Sequence, residues 1–115
     1  MNTSKIHQNA LGQLIDELKG YGAEKIILFG SVARGEADAF SDVDLVVIKP
    51  TRMNFVDRLA DVVYQCPTMV RANFNVDILV YTPEEFHRMQ AAQNPFLAGV
   101  TRDGKTLYEK AETTG

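Results

Sequence analysis

The stretch of residues 25–48 reads KIILFGSVARGEADAFSDVDLVVI and contains two apolar runs with a polar segment between them. Its first part, 25–29, is a short apolar run of strand-forming side chains that ends at a glycine. Its last part, 42–48, is a second apolar run that begins with two aspartates separated by a valine. Both runs have the length of a strand and are bounded by small or polar residues, so they predict two strands. Residues 32–41 are polar and small, and they predict one helical turn followed by a loop.

Helix-like and strand-like patterns alternate over the rest of the chain. Besides the two strands above, the predicted elements are a helix over 4–19, a helix over 54–65, a strand over 74–81, a helix from 83 towards 93 and a final strand over 105–109. Residues 96–103 fit either a short helix closed by Gly104 or a tight hairpin turn at Asp103-Gly104. This order predicts an α/β (α+β) fold, in which one small mixed sheet carries helices packed mainly on one face.

The composition of the chain predicts a single folded domain without a membrane span. The chain has 115 residues, of which 45% are hydrophobic and 23% charged, and we expect residues 1–115 to form one domain. No apolar run approaches the roughly 20 residues of a membrane span, so we expect no membrane association. The 12 basic and 15 acidic residues give a net charge of −3, which argues against nucleic-acid binding. A single cysteine, Cys66, and the absence of a signal-type stretch favour a cytoplasmic protein.

Three aspartates occupy predicted strands, where aspartate is normally depleted. Asp42 and Asp44 open the second strand and point to one face, and Asp77 lies inside the otherwise apolar third strand. If those strands are neighbours, the three carboxylates form one cluster, whose mutual repulsion a divalent cation would offset. Oxygen ligands suit Mg²⁺ or Mn²⁺, and two such ions can hold the attacking and leaving oxygens of a phosphoryl transfer. The alternative is that Asp42 serves the turn after Ser41 and that Asp44 merely lies at a strand edge.

A glycine and a serine follow the first strand, upstream of these acids. Gly30 lets a phosphate approach the backbone closely and Ser31 adds a hydroxyl, so Gly30-Ser31 predicts a phosphate cradle. Ten residues, 32–41, separate Ser31 from Asp42, and this spacing joins the cradle to the carboxylates. Two interpretations of Arg34 are equally favoured: its guanidinium contacts phosphate, or it forms a surface ion pair with a nearby acid.

These motifs resemble those of the nucleotidyltransferase superfamily typified by DNA polymerase β. LFGSVARG at 28–35, followed by SDVDLVV at 41–47, is similar to the minimal nucleotidyltransferases, the MNT proteins. The similarity runs from the leading helix to the closing DGKTLY at 103–108. The resemblance implies the small nucleotidyltransferase fold and a Mg²⁺-dependent transfer of a nucleoside monophosphate from an NTP, usually ATP.

The resemblance also implies a partner and roles for individual residues. MNT proteins often pair with HEPN-domain ribonucleases as toxin–antitoxin systems, in which the MNT antitoxin attaches AMP to a tyrosine of the toxin. Carried onto this chain, Gly30 and Ser31 hold the triphosphate. Asp42 and Asp44 bind the metal ions, and Asp77 completes the triad and helps to activate the attacking hydroxyl. We therefore expect two Mg²⁺ ions (or Mn²⁺), ATP as substrate and a hetero-oligomer with a HEPN toxin.

Two other functions remain open. A non-catalytic antitoxin would act by occluding its partner, with the apolar residues Phe96, Leu97 and Val100 as its docking surface. Transfer to a small molecule or to nucleic acid is the other alternative, although 115 residues leave no room for a separate substrate-binding domain.

Cys66 has no recognisable base nearby in the sequence, so we expect it to have a packing role. Arg58 predicts a solvated position, because the arginines in this part of the sequence are scattered.

Overall fold

The computed structural model describes residues 5–33, 43–71 and 75–111. Its elements, in chain order, are α1 (Lys5–Tyr21), β1 (Lys25–Phe29), α2 (Gly30–Ala33), β2 (Val43–Ile48), α3 (Phe55–Gln65), α4 (Thr68–Arg71), β3 (Val76–Tyr81), α5 (Pro83–Ala91), α6 (Pro95–Asp103) and β4 (Lys105–Glu109). The sequence predicted this order except for α4, which is too short to show a periodicity. Because 95–103 are helical, the hairpin alternative is excluded. No helix in the described ranges combines the length and hydrophobicity needed to cross a bilayer.

Within the described ranges, four strands form one sheet in the order β3-β2-β1-β4. β1 runs antiparallel to β2 and to β4, whereas β2 and β3 are parallel, which confirms the predicted mixed sheet. Parallel neighbours need a crossover connection, and α3 with α4 supplies it between β2 and β3. The second and third strands are therefore adjacent, as the clustering of their aspartates requires.

The two faces of the sheet carry separate hydrophobic cores, because side chains alternate along a strand. α1, α3 and α4 cover the first face, over a core that includes Leu14, Leu18, Ile26, Leu28, Leu45, Val47, Val62, Cys66, Ile78 and Val80. α5 and α6 cover the second face, over a smaller core of Ile27, Val46, Ile48, Phe86, Leu97 and Val100. The two longest helices, α1 and α3, thus lie on one face, as predicted, and α5 and α6 cover the other. Cys66 is fully buried in the first core, which confirms its packing role.

Side-chain caps determine where three helices begin. Asn54 accepts a hydrogen bond from a backbone amide in the first turn of α3. Thr82 and Glu85 form a reciprocal capping box at the start of α5, where the sequence predicted a helix start. Asn94 accepts from a backbone amide in the first turn of α6. The last two caps place α5 and α6 one after the other across the second core.

The apolar residues of α6 belong mainly to the core. Leu97 and Val100 are each only 2% exposed, so the predicted docking surface of Phe96, Leu97 and Val100 is wrong. Phe96 is 41% exposed, and its ring packs edge-on against Phe29 with 5.5 Å between ring centroids. Since Phe29 is the last residue of β1, this contact brings the start of α6 to the end of the sheet where Gly30 lies.

Candidate active site

Asp44 of β2 and Asp77 of β3 lie directly opposite each other in the parallel strand pair. Side chains at paired positions of neighbouring strands point to the same face, and their backbones are about 4.8 Å apart. Asp77 is exposed and Asp44 is half-buried, so the two residues lie at the surface near one end of the sheet. The described strands thus bring together two of the three aspartates that the sequence singled out.

Gly30 is the first residue of α2, follows β1 directly and lies beside Asp44. Phe29, which precedes it, is paired with Asp44 in the antiparallel register. Gly30 has a φ of +78°, in the left-handed region that favours glycine. A Cβ at this position would collide with Oδ2 of Asp44 and would lie 3.4 Å from its Cγ. The backbone conformation therefore favours glycine, and the missing side chain leaves the space that the Asp44 carboxylate occupies.

The structure places the other predicted site residues only in part. Ser31 lies in α2, directly after Gly30, and its side chain falls outside the structural description. Arg34 and Asp42 lie in the segment 34–42, which is outside the described residues. Across the described residues, no three His, Cys, Asp or Glu side chains group as metal ligands. A complete carboxylate triad depends on Asp42, and it stays a prediction.

The Asp44–Asp77 pair has the donor chemistry of a divalent-cation site. Carboxylate oxygens are the hard ligands that Mg²⁺ and Mn²⁺ prefer. Two like charges at adjacent register positions also repel each other, and a bound cation would offset that repulsion. The two residues therefore fit the metal that the resemblance implies, with Asp42 as the further ligand expected from the sequence.

An ion pair near the other end of β3 was missed by sequence reasoning. The prediction of a solvated Arg58 is wrong, because this residue is only 5% exposed. Its guanidinium donates to the two carboxylate oxygens of Glu85, at 2.7 and 3.0 Å, and to the Val80 carbonyl at 3.0 Å. Arg58 lies four residues before the buried Val62, on the inner face of α3, and this spacing was the available signal.

The ion pair changes the protonation equilibria of both partners. Hydrogen bonds from Arg58 are the main reason that the pKa of Glu85 falls from its ordinary 4.5 to about 2. The hydrogen bond to Glu85 in turn raises the pKa of Arg58 above its ordinary value. Both groups are therefore charged at neutral pH, and the charge of each is matched by the other.

Comparison with known sequences identifies the class of protein. The nucleotidyltransferase domain family matches residues 11–94. A candidate protein adenylyltransferase of Methanocaldococcus jannaschii is 32% identical over 113 residues, a match that covers 92% of this chain and 74% of that protein. The chain therefore belongs to the nucleotidyltransferase domain family, and its activity is that of a nucleotidyltransferase.

Solved structures share the fold. A candidate nucleotidyltransferase from Sulfolobus solfataricus has a TM-score of 0.56 at 23% identity, covering 95% of this chain and 92% of that one. A toxin–antitoxin structure with AMP-PNP has a TM-score of 0.62 at 20% identity, and the match covers 86% of this chain and 73% of that one. A mutant of the toxin–antitoxin pair MntA-HpeT has a TM-score of 0.61 at 20% identity, and the match covers 87% of this chain and 72% of that one. These likenesses confirm the predicted nucleotidyltransferase fold.

Proposed function

We propose that this nucleotidyltransferase transfers AMP from ATP to a hydroxyl group of a protein. The observation that carries the proposal is the pairing of Asp44 and Asp77 on adjacent strands, with Gly30 closely approaching Asp44. Nucleotidyl transfer needs alignment and charge neutralisation more than covalent chemistry from the protein. Carboxylates at paired positions can hold the cations that supply that neutralisation. The M. jannaschii relative, a candidate protein adenylyltransferase, supports a protein as the acceptor.

The reaction is a displacement at the α-phosphorus of ATP. The acceptor oxygen forms a bond to this phosphorus, the bond from the phosphorus to the bridging oxygen of the β-phosphate breaks, and pyrophosphate leaves. Asp77, which is exposed on β3, orients the acceptor hydroxyl and takes its proton. Asp42, Asp44 and Asp77 would together hold Mg²⁺ or Mn²⁺, as two ions. The bound cations supply neutralisation of the phosphate charge.

The nucleotide is assigned to the junction between β1 and α2. Gly30 and Ser31 hold the triphosphate, and Arg34 makes a further phosphate contact. ATP as the substrate is supported by a neighbour of the same fold that was solved with AMP-PNP, an ATP analogue. This assignment puts the phosphates next to the acids that handle the acceptor, because Gly30 adjoins Asp44.

The acceptor in this proposal is a HEPN-domain toxin, bound as a hetero-oligomer in the cytoplasm. Two neighbours of the same fold are toxin–antitoxin structures, which supports a toxin as the partner. The HEPN class is taken from the resemblance to MNT proteins. Exposed apolar side chains on α3, such as Val56 at 77% and Tyr64 at 83% exposure, provide surface that a bound protein would cover.

Labelling with ATP tests the proposal directly. The protein is mixed with Mg²⁺, ATP labelled at the α-phosphate and the product of the adjacent gene, and the label on that product is counted. We expect labelling by the wild type and a fall of about 100-fold or more with Asp44→Asn or Asp77→Asn. Asp16→Asn, which changes an exposed aspartate of α1, is the matched control and should label like the wild type.

The outcomes separate the proposal from its alternatives. Equal labelling by the wild type and the two site variants would contradict catalysis by these aspartates. An unlabelled partner, together with variants that still rescue growth, would favour the antitoxin that acts by occlusion. Label on an aminoglycoside or a tRNA, with none on the protein partner, would assign a different class of acceptor.

A further inference from the structure

A cavity of about 400 Å³ lies between the start of α3, the end of β3 and one side of α5. Its lining consists of Phe55, Tyr81, Glu85, Arg88, Met89 and Ala92, with Asn94 in the turn before α6. The Phe55 and Tyr81 rings pack with 5.5 Å between centroids, and Phe55 is still 46% exposed. One wall of the cavity is therefore aromatic surface that is open to solvent.

Tyr81, which lines the cavity, belongs to the same strand as Asp77 of the candidate active site. Tyr81 and Asp77 lie on the same face of β3, four residues or about 13 Å apart. α5 begins at Pro83, two residues after Tyr81. Phe96 of α6 packs on Phe29, which is paired with Asp44. The segment 83–95, which contains α5, therefore crosses the second face of the sheet, from the end of the strands at Tyr81 to the end at Asp44. The cavity lies beside α5.

Arg88 supplies a positive charge to the lining. Glu85 is already matched by Arg58. Arg88 is exposed, and within the described ranges no carboxylate forms an ion pair with it. A cavity of about 630 Å³ at the far end of β1 also contains cations, namely Lys110 and Lys25, which pairs with Glu109 at 3.7 Å. Its phenyl ring, Phe86, is only 8% exposed. Only the cavity at Phe55, of these two, combines an exposed phenyl ring with a guanidinium.

We propose that this cavity binds an extended segment of the acceptor protein, with an apolar side chain against Phe55 and Tyr81 and a carboxylate at Arg88. The inference rests on the proposed function, because it assigns the cavity to the acceptor. An extended chain advances about 3.3 Å per residue, so the apolar anchor lies about four residues from the hydroxyl that reaches Asp77. The cavity thus selects the modified residue by its distance from an acidic, apolar motif.

Fluorescent peptides test this inference without an identified acceptor. The first probe has the sequence Tyr-Ala-Ala-Ala-Phe-Glu, and the second has the same residues in the reverse order. The two probes therefore test both chain directions in the cavity. In the control peptides serine and lysine replace phenylalanine and glutamate. Binding is measured by fluorescence anisotropy, and transfer is measured with labelled ATP and Mg²⁺. We expect one probe to bind about 10-fold more tightly than its control, a preference that depends on the apolar contact at Phe55 and on the charge at Arg88 together.

Variants of the cavity and matched controls locate the binding. Phe55→Ser and Arg88→Glu should each remove most of the about 10-fold preference. Leu59→Ser changes another exposed apolar residue of α3, at 53% exposure, and should keep the preference. Arg71→Glu reverses an exposed arginine on α4 and should also keep it. Two cavity variants are used so that a folding defect in one does not decide the result.

Each outcome decides between the inference and the proposed function. Peptide binding without preference, no peptide binding, or a preference that survives both cavity variants would overturn the inference. A loss of ATP affinity in Arg88→Glu as large as the loss of peptide affinity would also overturn it, because the cavity would then belong to the nucleotide. Preferential binding with no transfer to a probe or to the adjacent-gene product would uphold the peptide site and overturn the proposed function.

Discussion

Gly30 and Asp44 depend on each other through one close approach. The Asp44 carboxylate occupies the space in which a side chain at position 30 would stand. The left-handed backbone at Gly30 adds a cost of about 1–2 kcal/mol for any other residue. The glycine of this motif therefore positions a carboxylate, besides any contact that its backbone makes with phosphate.

Replacing this glycine should damage activity more than stability. Gly30→Ala introduces a Cβ that displaces the Asp44 carboxylate, so we expect a loss of about 100-fold in nucleotidyl transfer. The free energy of unfolding, measured by urea denaturation, should fall by about 1–2 kcal/mol. The control is Gly12→Ala in α1, where a Cβ meets nothing within 4 Å and should stabilise the helix by about 0.5–1 kcal/mol. Unchanged activity in Gly30→Ala would show that Asp44 does not need its present position.

Part of the candidate site was predictable at the level of single residues. Asp44 and Asp77 stood out because aspartate is rare in strands and because alternation along a strand is a strict geometric rule. The contact between Gly30 and Asp44 was not predictable, because it depends on the register between β1 and β2. Arg58 was misjudged because its partner Glu85 lies 27 residues away, and only the tertiary structure brings the two together.

At the scale of elements, Arg58 and Glu85 join the two helical layers. α3 lies on the first face of the sheet and α5 on the second, and the ion pair connects them near the end of β3. Arg58 Nε also donates to the Met53 carbonyl at 2.9 Å, and Glu85 accepts from the Thr82 amide at 2.9 Å. The pair therefore holds the starts of α3 and α5 in a fixed relation, which shapes the cavity at Phe55.

Removing Glu85 should destabilise the protein and reduce its sensitivity to acid. Glu85→Ala leaves Arg58 buried without its partner, and we expect the free energy of unfolding to fall by about 2 kcal/mol, a value reduced for the partial exposure of Glu85. The native pKa of about 2 lies below the unfolded value of 4.5, so the wild type is stabilised above pH 4.5. This stabilisation is lost as the pH falls from 4.5 towards 2, and the variant should not show that loss.

Urea denaturation at several pH values measures both effects. Glu84→Ala is the matched control, because it removes an exposed glutamate from the same first turn of α5. It should change the free energy of unfolding by less than about 0.5 kcal/mol. A pH dependence between 4.5 and 2 that is the same in the wild type and Glu85→Ala would show that other carboxylates cause the acid sensitivity.

Most elements were predictable because each has a period or a cap of its own. The helices α1, α3 and α5 show apolar residues at helical spacing, and Thr82-Pro83 fixes a start. The pairing of strands was not predictable from the local pattern. The choice at 95–103 was settled by the second face of the sheet, which Leu97 and Val100 cover. An isolated segment offers no such surface, so its sequence leaves helix and hairpin open.

At the scale of the whole molecule, a divalent cation should raise the thermal stability. Asp44 and Asp77 lie at paired positions of neighbouring strands, and a cation that they bind only in the folded state stabilises that state by mass action. With about 10 mM Mg²⁺ and a Kd of about 1 mM, the gain is about 1.4 kcal/mol. We expect a rise in Tm of several degrees, measured by differential scanning calorimetry.

Variants identify the origin of that rise. Asp77→Asn replaces one of the carboxylates that would hold the cation, so it should remove most of the response of the Tm to Mg²⁺. Asp16→Asn, at an exposed position of α1, should keep the full response. A response to Mg²⁺ that is retained in Asp77→Asn would place the cation elsewhere on the molecule.

The buried thiol of Cys66 makes this protein convenient for distance measurements in solution. Cys66 is the sole cysteine of the chain and has no exposed surface. Burial is the main reason that its pKa rises to about 11, so at neutral pH it is almost entirely the unreactive thiol. A cysteine introduced at an exposed position, such as Leu59 or Arg88, would react with a maleimide dye while Cys66 would not. Energy transfer from that dye to one on a peptide or partner would then report the docked geometry without replacing the native cysteine.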